Sequence, residues 1–221
     1  MLRHPALPYV APFAIFIGFL SLKSSLPLGG LAGQIAWIAA VSASIWFFSR
    51  HLLDFRLRMP LGTIVVGAIV FAIWIAPDAL FPGYRSHWLF QNSITGTLTS
   101  SLPPELRENL AILVLRSARA ILIVPIVEEL FWRGWMLRWL INPDFEKVPL
   151  GTYSHLAFWG TAILFAAEHG PFWEVGLIAG AIYNWWMMRS KSLGDLIVAH
   201  GLTNGLLCAY VVATGKWEYW L

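Results

Sequence analysis

Apolar runs long enough to cross a lipid bilayer recur along almost the whole chain, and no other feature limits the fold so strongly. A membrane-spanning helix needs about 20 mainly apolar residues to cover the hydrocarbon layer. Such runs lie near residues 8–22, 31–49, about 61–76, 120–141, 155–169, 172–188 and 192–212. Of 221 residues, 58% are hydrophobic and 12% are charged, whereas an ordinary soluble domain is about 25% charged. A soluble domain has no means of covering that much apolar surface, and a disordered chain is poor in it. The expected class is all-α: a polytopic membrane protein of seven or eight helices, forming one domain over residues 1–221.

The polar stretches between runs order this plan. Arg3 and His4 precede the first run and Lys23 ends it. A signal peptide has a similar start, but no A-x-A site follows and the second run begins at once, so a retained helix is expected. The densest basic cluster, Arg50 to Arg58, is expected on the cytoplasmic side, which also places the N-terminus inside. Arg189 and Lys191 then fall on the same side. Residues 77–104 are rich in proline, glycine and asparagine and read as a loop or re-entrant region. From Glu105 to Arg119 charged and apolar residues mix, as in an amphipathic helix lying at the interface or leading into a span. Ser192 and Asp195 have the spacing of a capping box. Trp88, Trp139, Trp173, Trp186, Trp217 and Trp220 fall near span ends, as in an aromatic belt. The net charge of +3 is scattered, so no nucleic-acid partner is expected. The lone cysteine, Cys208, reads as a small core residue.

Charged groups inside apolar spans are costly, about 2.5–3.5 kcal/mol each on insertion scales, and should face protein or water rather than lipid. The charged or polar groups so placed here are Glu128, Glu129, Arg133, Glu168, His169, His200 and Asn204. Residues four apart on a helix share a face, while neighbours lie about 100° apart. Glu129 and Arg133 therefore form a supporting pair. Glu128 points about 140° away from Arg133, free to meet another helix. His200 and Asn204 share a face, as do Phe165 and His169. Glu128, His169, His200 and Asn204 thus make a converging group with a base, a partner for it and hydrogen-bond donors, the parts of a hydrolytic site. Pro125 is expected to open its helix to water. Glu168 either faces water or tunes the site, and Asn184 reads as a structural hydrogen-bonding residue. His4, His51, His87 and His155, with Glu174, read as interfacial.

Three ordered motifs then stand out. Glu128-Glu129-Leu130-Phe131-Trp132-Arg133 fits E-E-x-x-x-R, Phe165 to His169 fits F-x-x-x-H, and His200 to Asn204 fits H-x-x-x-N. On successive membrane helices they resemble the CAAX-protease and bacteriocin-processing family (CPBP, also called Abi). The resemblance covers about residues 120–205. The short, Trp-rich chain also resembles the CAAX prenyl protease-related branch associated with exosortase systems.

The resemblance implies a CAAX-protease-like helical bundle, with N-terminal helices and a loop over 1–104 and a catalytic core over 105–213. It implies an intramembrane glutamate-type endopeptidase cutting a membrane-associated or lipidated protein. Glu128 and His169 would activate water, His200 and Asn204 would form the oxyanion hole, and Glu129 and Arg133 would brace the helix. The expected location is a bacterial inner membrane, with the lipid bilayer, a protein or lipopeptide substrate and sorting-system proteins as partners. No cofactor is expected. Zinc on Glu128, His169 and His200 is the alternative chemistry, although no H-E-x-x-H pair is present. A non-catalytic immunity or partner-binding protein and an ion or solute carrier are the alternatives to an enzyme.

Overall fold

The computed structural model describes residues 4–22 and 30–220. Arg3 and Lys23, named above at the ends of the first run, lie outside the described residues. Among the described residues seven helices carry the fold: α1 (Leu7–Leu22), α2 (Leu31–Leu52), α3 (Pro60–Leu80), α4 (Leu110–Trp139), α5 (His155–Ala167), α6 (Trp173–Ser190) and α7 (Leu193–Thr214). Four of them, α2, α3, α4 and α7, are long and apolar enough to cross a membrane. Among the described residues there is no strand, and one isolated bridge joins Asn92 to Gly96.

The helices pack through small and apolar faces. α3 lies along α7, and α5 along α6. Val66 and Val70 of α3 meet Leu196 and Ala199 of α7 in the central core. α1 joins the same core through Phe13 and Phe16, with Phe13 stacked on Phe131 of α4 at 4.0 Å. Trp186 and Trp220 are buried, so they belong to the interior rather than to an interfacial belt, whereas Trp88 and Trp139 are exposed.

The reading of residues 77–104 needs a correction at its start. α3 continues through Pro77 to Leu80, because an apolar run still precedes the break at Phe81-Pro82-Gly83. The loop beyond is pinned by Arg85, which pairs with Asp78 and with Glu174 (2.7 Å each), donates to the Pro171 carbonyl and lies 4.0 Å over the Phe172 ring. Glu174 is therefore bound to this loop cation as well as lying near the surface. Of the two readings of the charged stretch 105–119, the structure has the one that leads into a span. The stretch contains a short 3-10 turn, and α4 begins at Leu110 and carries Arg116 and Arg119 inward.

The capping box forms only in part. Asp195 N–H donates to Ser192 Oγ, but the Asp195 carboxylate turns to another helix. It accepts from the backbone N–H groups of Arg58 and Met59 (2.8 Å each) and from Thr63 Oγ1 (2.7 Å). A carboxylate at the start of α3 satisfies donors that no intrahelical carbonyl can reach. It also ties the basic 50–59 stretch to the start of α7.

Candidate active site

The geometry begins with a helix that is not regular. Residues 119–123 and 130–136 of α4 are π-helical, and such turns carry one extra residue. Val124 N–H donates to Arg119 O, five residues back. The Ala120 carbonyl loses its usual α-helical donor in this way, and Asn204 Nδ2 of α7 donates to it at 2.8 Å. Pro125 has no N–H to return to Ile121, four residues back. The Ile121 carbonyl faces Gly201, where an added methyl carbon would sit 2.8 Å from it. The irregular turn and the glycine together bring α4 and α7 into contact next to Glu128 and His200.

Glu129 and Arg133 pair along the helix at 3.2 Å, as their spacing requires, and both are 0% exposed. Glu129 also reaches across to α7, where its Oε1 lies 2.8 Å from His200 Nδ1. Glu129 therefore links the bracing pair to the converging group, since it holds the ring of one of that group's members. The His200 ring stacks on Tyr183 at 5.2 Å, and its Nε2 lies 4.0 Å from Glu128 Oε2. Arg133 donates further to Asn184 Oδ1 (2.9 Å) and to the Gly180 carbonyl (3.2 Å), and Asn184 donates to the Phe158 carbonyl. Asn184 is thus a structural link between α4, α5 and α6.

His169 sits in the turn after α5. Its Nδ1 donates to the Phe165 carbonyl at 2.6 Å, a carbonyl being only an acceptor, so Nε2 carries the lone pair. Trp74 of α3 and Phe165 hold the ring at 5.2 and 4.6 Å. Glu168 accepts from Trp132 Nε1 at 3.0 Å. Ligand-type atoms of Glu128, Glu168 and His169 all lie within 4.8 Å of one another. The cluster therefore contains Glu168, a residue whose place helix arithmetic left undecided because it stands at the helix end, where the chain leaves regular rotation. Of the residues expected from sequence for zinc, Glu128 and His169 fall in this cluster, and His200 stands beside it with Nδ1 against Glu129.

Glu128, His169, His200 and Asn204 all line one cavity of about 560 Å³, within the roughly 300–1,000 Å³ usual for ligand pockets. Its walls also include Phe16, Trp37 and Trp74 of the N-terminal helices, and Arg116 and Arg119 of α4. Glu128 Oε2 is buried and has no hydrogen-bond partner among the described residues.

Residues 110–206 match the family model of Rce1-like proteins, described as type II CAAX prenyl endopeptidases. With a polytopic helical fold, this match makes the chain a membrane protease. The matched segment runs from the start of α4 to the middle of α7 and supports a CAAX protease of the CPBP type. No curated protein and no solved structure matches the chain.

Proposed function

We propose that this intramembrane endopeptidase cuts a peptide bond by water attack, with Glu128 as general base and His169 as its partner. The observation that carries the reading is the junction of Glu128 with His169 and His200 in one cavity. The Nε2 lone pair of His169 and the Glu128 carboxylate both accept hydrogen bonds, so together they fix a water by its two hydrogens. Glu128 takes one proton as the water oxygen adds to the scissile carbonyl carbon. The oxyanion is met by donors from α7, Asn204 Nδ2, which has a second N–H to give, and His200 Nε2. With Nδ1 donated to the Glu129 carboxylate, a proton on His200 Nε2 makes the ring a cation facing that carboxylate. The proton held by Glu128 then passes to the amide nitrogen, the C–N bond breaks and the amine leaves. Buried donors aimed at such an oxygen are each worth about 100- to 1000-fold in rate. The substrate class that fits is a prenylated or otherwise membrane-anchored peptide, because the cavity opens among apolar helices.

The test is cleavage of a farnesylated peptide by purified protein in nanodiscs. Glu128→Gln is expected to lower kcat by at least about 1000-fold. Cleavage by this variant within tenfold of wild type would remove Glu128 from the mechanism.

A second reading rests on the Glu128, Glu168 and His169 cluster. Zinc takes such oxygen and nitrogen ligands, and a ligating histidine usually gives its other N–H to a carbonyl, as His169 does. Elemental analysis of protein purified without chelator separates the two. One zinc per chain that Glu168→Gln removes supports the metal reading, and its absence from active protein supports the metal-free one.

A further inference from the structure

Arg116 and Arg119 are each only 9% exposed, stand three residues apart on α4 and line the same cavity as Glu128. Neither forms an ion pair among the described residues, unlike the buried Arg85 and Arg133. Their contacts are with neutral groups. Arg116 donates to Ser101 Oγ at 2.6 Å and lies over Trp220, and Arg119 donates to Gln34 Oε1 at 2.8 Å and lies 3.8 Å over Trp37. Arg138 is also buried without a carboxylate partner among the described residues, but it spends its donors on the carbonyls of Gly134, Glu146 and Val148. A guanidinium has five N–H donors, so Arg116 and Arg119 keep donors for a ligand in the cavity. Two like charges this close in an apolar setting are costly unless an anion joins them.

We propose, building on the peptidase reading above, that Arg116 and Arg119 clamp a carboxylate carried by the substrate and so measure where the chain is cut. Nine residues separate Arg119 from Glu128, about 13–14 Å along the helix. An extended peptide covers about 3.3–3.6 Å per residue. The clamped carboxylate therefore lies about three to four residues from the scissile bond. Face also agrees. Regular rotation would leave Arg116 about 120° and Arg119 about 180° from Glu128, and the extra residue of the 119–123 turn removes about 100° from each, which leaves Arg116 about 20° and Arg119 about 80° away, both lining the cavity. The carboxylate has two sources, the terminus of the substrate chain or an acidic side chain at the same spacing.

Equilibrium binding to the full chain in nanodiscs tests this, with Glu128→Gln protein so that no turnover is needed. Three fluorescent farnesyl-cysteine peptides with three-residue tails serve as probes: a free acid, its carboxamide, and a carboxamide whose last residue is glutamate. The free acid is expected to bind about tenfold tighter or more than the plain carboxamide. If the glutamate carboxamide recovers that affinity, an acidic side chain serves as well as the terminus, and if it does not, the clamp reads the terminus. In either case the double variant Arg116→Gln/Arg119→Gln should bind all three alike, and Arg116→Lys/Arg119→Lys should keep a preference. Equal binding of the three peptides to the unsubstituted clamp overturns the proposal. So does a glutamine variant that keeps the preference but loses anionic phospholipid from the purified particle, which would make the site a lipid site. Cleavage by wild type without carboxylate preference sinks the clamp alone. Carboxylate preference in a wild-type protein that never cleaves sinks the peptidase reading alone.

Discussion

Glu129 ties two helices together at the centre of the site. One oxygen meets Arg133 from its own helix and His200 from another, and none of its surface is exposed. A carboxylate in such a place depends on both partners, since a buried charge left with too few costs several kcal/mol. Arg133→Met removes the cation and also the links to Asn184 and Gly180. It should destabilise the protein by about 3–5 kcal/mol, measured as a lowered midpoint of thermal unfolding in detergent. A midpoint unchanged within a degree would mean that the pair contributes nothing net. Much of this was legible in the letters. The four-residue spacing of Glu129 and Arg133 and the angular separation of Glu128 follow from helix rotation alone. The hydrogen bond from His200 Nδ1 to Glu129 was not legible, because spacing along one helix says nothing about which face of another it meets.

At the scale of elements, regular rotation fails where the helices are irregular. The one-residue insertion at 119–123 turns Arg116 and Arg119 toward the cavity, whereas a count by 3.6 residues leaves them as part of an interfacial stretch. The only hint in the sequence was Pro125, just after the turn. The same turn frees the Ala120 carbonyl for Asn204, so Asn204 has a packing role besides any part in catalysis. The approach of α4 to α7 depends on Gly201. Gly201→Ala would press a methyl group against the Ile121 carbonyl and should cost about 1–3 kcal/mol, with a loss of cleavage activity larger than the loss of folded protein. Activity that falls only in step with folded protein would show that this contact does not set the geometry of the site.

For the molecule as a whole, the apolar runs and the ordered motifs were enough to give a helical membrane protease. The part that resisted reading is the N-terminal half. It carries no motif, yet Phe16, Trp37 and Trp74 line the cavity, and Arg85 holds the 81–109 loop against the end of α3 and the start of α6. Their apolar character is that of any membrane core, so nothing in the letters separates a wall of the site from ordinary packing. The central claim is that side chains from separate helices act on one water. A double-mutant cycle on the cleavage rate tests it most directly, using wild type, Glu128→Gln, His169→Ala and the double variant. Groups that act as a unit are strongly non-additive, so the double variant should be no more than about threefold slower than the slower single variant. Losses that multiply, with the double variant slower by the product of the two single effects, would contradict the account.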